Sequence, residues 1–384
     1  MKLFLVALVV ATGLSAANSA SISFRDVAIS SDVSADGDVN SLECAACKLL
    51  AKDLVDLGEN ETDVKKVIAK LQSACNEKLA NHTEEMKICD EIVKGLVEML
   101  PFVDNEIAQL AWDSDNLCAI AGICKVDCCT GLPKEPEQVH IALTRDASEM
   151  NVMWTTLEDT TTHTVKWGTD SGNLNQTSSN GTSSTYTHFG WVGHLHRAKI
   201  TGLQPGQQYF YSVGSDDGSF SKVFTFNTLH EDAGSDAHPL RVASIGDMGY
   251  GPLSDDSVAQ LTKLVEAGEI DVVVHNGDIS YADGEMGHWD VFMRKVEPIA
   301  SRVPYQVTPG NHEFWFNFSA YNHRFVMPDE GATHSKYRCS VSVPHIMSCR
   351  CRFSRQPLLR FLGRQPGIGQ RQLHRKCAFR CHGH

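Results

Sequence analysis

Three short strings in the chain carry residue types that could do chemistry: Gly246-Asp247-Met248-Gly249, Gly277-Asp278-Ile279-Ser280-Tyr281 and Gly310-Asn311-His312-Glu313. Each follows an apolar run that reads as a buried strand, in RVASI, DVVVH and YQVTP. A glycine ahead of the polar residue lets the backbone turn sharply at the strand end. Asp247, Asp278 with Tyr281, and Asn311 with His312 can then face one crevice. A single Gly-Asp is commonplace and more often caps a helix; three in order, each after an apolar strand, form a pattern. Oxygen donors gathered at one edge suit hard cations such as Fe(III), Mn(II) or Mg(II), and also zinc.

The elements that must position these residues can be read outward from them. SDDSVAQLTKLVEAG, between the first two strings, offers N-cap residues and an apolar stripe at Val258, Leu261, Leu264 and Val265, which predicts a helix. Alternating strand and helix over residues 240–337 predict parallel βαβ units whose strand ends share an edge. His275, inside an apolar run, reads as a core histidine. His288 and Trp289 either line a substrate pocket or lie on the surface. Upstream, over residues 134–229, the apolar period is two: Val139, Ile141, Leu143; Val152, Trp154; Val165, Trp167; Tyr209, Tyr211, Val213; Phe224, Phe226. That period, with turns rich in Gly, Asn, Asp and Ser, predicts an all-β sandwich. His194 and His196 in GHLHR could bind a metal, but their place between sandwich strands favours a structural or surface role.

Residues 40–129 hold Cys44, Cys47, Cys75, Cys89, Cys118 and Cys124, with helical stripes between them at Leu50, Leu54, Leu57, then Val64, Val67, Ile68, Leu71, then Ile92, Leu96, Met99. Short amphipathic helices of this kind pack together when disulfides staple them, and six cysteines allow fifteen pairings. The opening CxxC could also indicate zinc or redox chemistry, which the secretory features below disfavour.

Two resemblances follow from these strings. GDxG, GDxxY and GNHE in this order resemble the metallophosphoesterases, and Tyr281 points within them to the purple acid phosphatases. The sandwich resembles the fibronectin III-like N-terminal domain of the plant-type enzymes, and LQPGQQY (203–209) looks like its tyrosine corner. The resemblance implies an acid phosphatase that hydrolyses phosphate monoesters by attack of a hydroxide held on two metals, Fe(III) and a divalent Zn, Mn or Fe. It implies Asp247 and Tyr281 on the ferric ion, Asp278 bridging, Asn311 on the divalent metal, and His312 at the phosphoryl group. The cysteine spacing resembles the saposin B-type domain, which implies the pairs Cys44–Cys124, Cys47–Cys118 and Cys75–Cys89 and contact with a lipid or membrane surface. With 17 acidic residues against 9 lysines in residues 41–129, such contact is expected only at acid pH. A saposin-like domain beside a metallophosphoesterase is also similar to acid sphingomyelinase; Tyr281 and the sandwich argue for the monoesterase.

Residues 1–20, one lysine, an apolar run and then small residues, read as a signal peptide. Sequons at Asn60, Asn81, Asn175, Asn180 and Asn317 fit glycosylation, and with thirteen cysteines they predict a secreted or lysosomal/vacuolar protein. The net charge of −13 is uneven: residues 338–384 carry ten Lys/Arg and no acid. That tail shows no strand or helix pattern, and the family's later VxxH motif is not found; CHGH at 381–384 imitates only half of its GHxH motif. A shifted reading frame accounts for the tail better than a nucleic-acid-binding or phosphate-binding segment does, and no nucleic acid is expected as a partner. The phosphoesterase domain is therefore expected to be truncated, with four of the family's seven ligands. Weak or absent activity follows, leaving a non-catalytic lipid-binding protein as the alternative.

Overall fold

A computed structural model describes residues 44–45, 47–48, 51, 64–78, 83–99 and 114–328. The signal segment, Asn60, Asn81 and the basic tail lie outside the described residues. The chain divides into two compact units, one running through Val126 with Thr187–Trp191, the other comprising Asp127–Tyr186 and the residues from Val192 onward. The sandwich and the βαβ segment therefore share a unit.

The first unit contains α1 (Val64–Lys78), α2 (Thr83–Met99) and α3 (Ser114–Ile120). Leu71, Cys75, Cys89, Ile92, Leu96 and Leu117 are buried together. The disulfides Cys44–Cys124, Cys47–Cys118 and Cys75–Cys89 are formed, in the pairing expected. Closing loops of 80, 71 and 14 residues restricts the unfolded chain, which matters in a helical unit with a small core. In the second unit Cys128 pairs with Cys129, a bridge not anticipated from the spacing.

The second unit begins with the predicted sandwich. One sheet has the order β1 (Glu137–Leu143), β2 (Met150–Thr156), β6 (His194–Ile200) and β5 (Thr182–Ser184). The other has the order β8 (Phe224–Asn227), β7 (Gln208–Gly214), β3 (Thr164–Gly168) and β4 (Gln176–Ser178). Alternation at period two drives Val139, Ile141, Val152, Trp154, Val165, Tyr211, Val213 and Phe226 into one core. The Tyr209 hydroxyl accepts the Gln204 backbone N–H at 2.9 Å, which is the tyrosine corner. Asn175 and Asn180 are exposed.

The βαβ segment follows as a parallel sheet in the order β9 (Val242–Ile245), β10 (Val272–Asn276) and β11 (Tyr305–Thr308). Helix α4 (Asp255–Glu266) links β9 to β10 and buries Val258, Leu261 and Val265, while Leu264 stays 40% exposed, so the apolar stripe is narrower than expected. Helices α5 (Met286–Ala300) and α6 (Trp315–Arg324) complete the described segment, α6 with left-handed backbone at Phe316, Asn317 and Phe318. Asn317 is exposed. Trp289 is 3% exposed and packs edge-on against Phe292 and Phe325; it belongs to the core, neither to the surface nor to a pocket wall. The periodicity of α5 places it on the buried face with Phe292, Met293 and Val296.

Polar bonds join sandwich and βαβ segment. Tyr211 donates to the Ser301 carbonyl at 2.7 Å, and Glu297 and Gln306 accept the N–H groups of Val139 and Leu143 at 3.1 and 3.0 Å. Arg324, 1% exposed, donates to Asp290 at 2.8 Å and to Gln138 and Tyr186 at 2.9 Å each. Gln138 sits at an irregularity of the β1–β2 register with φ of 61°, which turns its side chain out of the ladder and into this network. Among the described residues no helix is long and apolar enough to cross a membrane.

Candidate metal centre

The three strings end their strands side by side. Asp247 follows β9, Asp278 and Tyr281 follow β10, and Asn311 with His312 follow β11, so the parallel order β9-β10-β11 places all five at one edge. Backbone bonds lock the first two turns together: Gly249 and Tyr250 donate to the carbonyls of Ile279 and Ser280, each at 2.9 Å. Asp247, Asp278, Tyr281 and Asp283 all adopt positive φ, between 48° and 55°. Left-handed backbone at non-glycine residues costs about 1–3 kcal/mol each and persists where surrounding structure holds it. Four such residues at one edge mark a shaped site.

The side chains meet there. Tyr281 donates its hydroxyl proton to Asp247 Oδ1 at 2.7 Å, and its ring lies 4.2 Å, centroid to centroid, from His312. Asp278 Oδ1 accepts the His312 backbone N–H at 3.3 Å. A Cβ on Gly310 would collide with the Asp278 carboxylate, so the glycine of GNHE is a requirement of close approach. Asn311 is exposed on the same turn, its carbonyl accepting the Phe314 N–H.

Two carboxylates not singled out from the sequence complete the arrangement. Asp283 Oδ1 lies 2.6 Å from His312 Nδ1, which fixes the ring with Nδ1 protonated and Nε2 turned outward. Glu313, 3% exposed, accepts the N–H groups of Ile279 at 2.8 Å and Gly310 at 2.7 Å, tying the turns after β10 and β11. Burial pushes its carboxyl up, partly offset by those two bonds. Asp283 meets His312 beyond β11 and Glu313 meets Ile279 beyond β10, contacts between separate turns that spacing does not reveal.

His275 is a core histidine, as expected. It is fully buried, Nδ1 is 2.9 Å from the Tyr305 hydroxyl, and burial pushes its pKa down to about 4. His288 is half-buried, stacked on Tyr250 at 3.9 Å and 3.4 Å from Glu285.

The donor set fits a cation. Burial, then the bond to Asp247 and the charges of Asp247, Asp278 and Glu313, hold the Tyr281 phenol well above its usual range. Carboxylates so gathered oppose each other's charge and the phenolate's alike; a cation among them reverses that balance.

Comparison with known proteins gives the families of the two domains. Residues 136–228 match the family model of the purple acid phosphatase N-terminal domain, and residues 240–346 match that of the calcineurin-like phosphoesterases. The chain carries these two domains. It is 36% identical over 234 residues to acid phosphatase type 7 of Danio rerio, covering 59% of this chain and 50% of that protein. Probable purple acid phosphatase 20 of Arabidopsis thaliana is 33% identical over 228 residues, covering 56% of this chain and 50% of its own. The solved purple acid phosphatase PPD1 from yellow lupin seeds is 28% identical, with a TM-score of 0.46, over 52% of this chain and 42% of its own. The chain spans about half the length of the curated relatives it matches. The phosphoesterase match begins just ahead of Asp247 and includes every residue of the strand-end cluster.

Proposed function

We propose that this protein is an acid phosphatase that hydrolyses phosphate monoesters at the edge formed by β9, β10 and β11. The observation that carries the reading is the convergence of Asp247, Asp278, Tyr281 and His312 there, with Tyr281 bonded to Asp247 at 2.7 Å. Asp247, Tyr281 and Asp278 would hold a ferric ion, and Asp278 and Asn311 a divalent one, Zn, Mn or Fe. When bound, the metal pair supplies positive charge for the ester and lowers the pKa of water. His312, oriented by Asp283, presents Nε2 to the phosphoryl group and stabilises charge there. Glu313 and Gly310 keep Asp278 and the turn after β11 in place, so that substrate meets a preorganised edge.

Among the described residues the centre has fewer ligands than the family's pattern. Among the described residues after Asn311 the histidines are His312 and His323, and His323 lies 2.7 Å from the Ser319 carbonyl and packs on Tyr186. With Asp278 and Asn311 as the divalent-side ligands among the described residues, we infer that this metal binds weakly and that turnover is low. The helical unit acts as a saposin-like lipid-facing accessory, and the protein works in an acid secretory or lysosomal compartment; the three disulfides and the exposed sequons at Asn175, Asn180 and Asn317 support this.

Purified protein ending at His384, supplied with iron and zinc, is assayed with p-nitrophenyl phosphate and with sphingomyelin at pH 5. Slow hydrolysis of the monoester alone, lost in Asp278→Asn, is the expected result. Hydrolysis of sphingomyelin instead, or monoester hydrolysis unchanged in Asp278→Asn, overturns the assignment. Rapid turnover by the wild type refutes the impaired centre.

A further inference from the structure

A second cluster of metal-ligating side chains lies in the sandwich, in residues the phosphatase reading does not use. His196 is on β6, His163 immediately precedes β3 in the opposite sheet, and Asp159 lies in the connection from β2 to β3. One ligand atom from each falls within 4.8 Å of the others. His194, two residues before His196 on the same strand face, places Nδ1 3.7 Å from Asp159 Oδ1.

The hydrogen bonds around His196 are those of a ligand held ready. Its Nε2 is 2.6 Å from Thr156 Oγ1, and that hydroxyl gives its own proton to the Glu158 carbonyl at 2.6 Å. Thr156 therefore accepts from His196 Nε2–H, which leaves a lone pair on Nδ1. That lone pair faces His163 Nδ1 at 2.9 Å. Trp154 stacks on the ring at 5.3 Å with a 16° tilt, and His196 is 1% exposed, so the ring cannot turn away. Orientation of a ligand imidazole through its second nitrogen is a regular feature of metal sites.

On the other side, the Thr160 hydroxyl spends its proton on the Thr162 carbonyl at 2.9 Å and faces His163 Nδ1 at 3.3 Å. In the metal-free protein one proton thus sits on His163 Nδ1, between two imidazole nitrogens. A metal ion takes its place when His163 shifts that proton to Nε2, with no net proton released. Asp159 Oδ1 already accepts from Thr160 N–H at 2.9 Å and Ser183 Oγ at 3.0 Å, so its carboxylate is fixed toward the pair.

We propose that Asp159, His163 and His196, with His194 adjacent, form a structural site for a borderline divalent metal, zinc being the best match to two or three imidazoles and one carboxylate. Ligand atoms of a tetrahedral zinc lie roughly 3.3 Å apart, given Zn–N of about 2.0–2.1 Å. The imidazole pair need open by only a few tenths of an ångström. The ion joins β6 of one sheet to the segment entering β3 of the other, a staple across the sandwich. The site shares no residue with the proposed phosphatase centre.

The test uses the full chain, stripped by chelator and dialysed against low zinc, comparing wild type with His163→Ala, Asp159→Ala and Asp278→Asn. Zinc per chain, the visible bands of added Co(II), and the zinc-dependent rise in the melting temperature of the sandwich unit are read together. Loss of one zinc and of the tetrahedral cobalt bands in His163→Ala, with both kept in Asp278→Asn, is expected. Asp159→Ala, whose side chain is half exposed, weakens zinc binding by tenfold or more and serves if His163→Ala does not fold. Equal zinc content in wild type, His163→Ala and Asp159→Ala, or cobalt bands lost only in Asp278→Asn, overturns the proposal in favour of a plain imidazole–imidazole hydrogen bond.

Discussion

Replacing Asp290 by asparagine tests how the sandwich and the phosphoesterase segment are joined. Asp290 and Arg324 are each 1% exposed, with Arg324 Nη2 2.8 Å from Asp290 Oδ1. Burial alone disfavours the guanidinium's charge; the adjacent Asp290 carboxylate restores it, with the Tyr186 hydroxyl and Gln138 as further partners. Asparagine preserves shape and one acceptor but removes the charge, leaving a cation in a low-dielectric site without that carboxylate. Breaking a buried pair from one side costs about 3–5 kcal/mol. The substitution is isosteric, so little of that arises from lost packing. Urea unfolding followed by tryptophan fluorescence measures it through Trp154, Trp167, Trp289 and Trp315, all in this unit. The midpoint is expected to fall at unchanged slope by an amount equivalent to that loss. Arg324→Met in the Asp290→Asn background should recover much of it, because no buried charge then remains. A loss below about 1 kcal/mol for Asp290→Asn, or a double variant worse than the single one, refutes the reasoning.

Further predictions concern the two clusters. Burial, reinforced by the charges of His163 and His194 and opposed by Asp159, pushes folded His196 down to about 3, against 6.5 for the free side chain. Its neutral form is favoured by folding, so this stability is complete above pH 6.5 and is lost as the pH falls toward 3. In metal-free protein the loss is about 2 kcal/mol by pH 5, and it should vanish from the pH 7 to pH 5 difference when His196→Gln is compared with wild type. Asp283→Asn releases the His312 tautomer and should lower kcat roughly 10–100-fold with KM little changed; an unaltered kcat would count against the orienting bond. Gly310→Ala drives a methyl into the Asp278 carboxylate and should abolish iron retention on dialysis while the sandwich still melts cooperatively; retained iron would show that the close approach is dispensable.

Much of this architecture is written locally in the chain. Strand-end positions such as Gly277-Asp278 are legible because an apolar run, a glycine and a polar residue stand next to one another. The sandwich is legible because its period of two reflects a pleat that sends alternate apolar residues into the core between the sheets. What escaped depends on partners distant in sequence. Asp283 meets His312 across 29 residues, Gln138 meets Asp290 across 152, and Asp159 and His163 meet His196 only because two sheets stack. The burial of Trp289 is not legible from its place beside a motif, which says nothing of the helix face it occupies. Its neighbours Phe292, Met293 and Val296 do.

The most direct test of the proposed centre is the visible spectrum of the purified chain loaded with Fe(III), wild type against Tyr281→Phe. Wild type is expected to hold one iron tightly, with a phenolate charge-transfer band that Tyr281→Phe removes. An iron-loaded wild type without such a band, or a band that survives Tyr281→Phe, would contradict it.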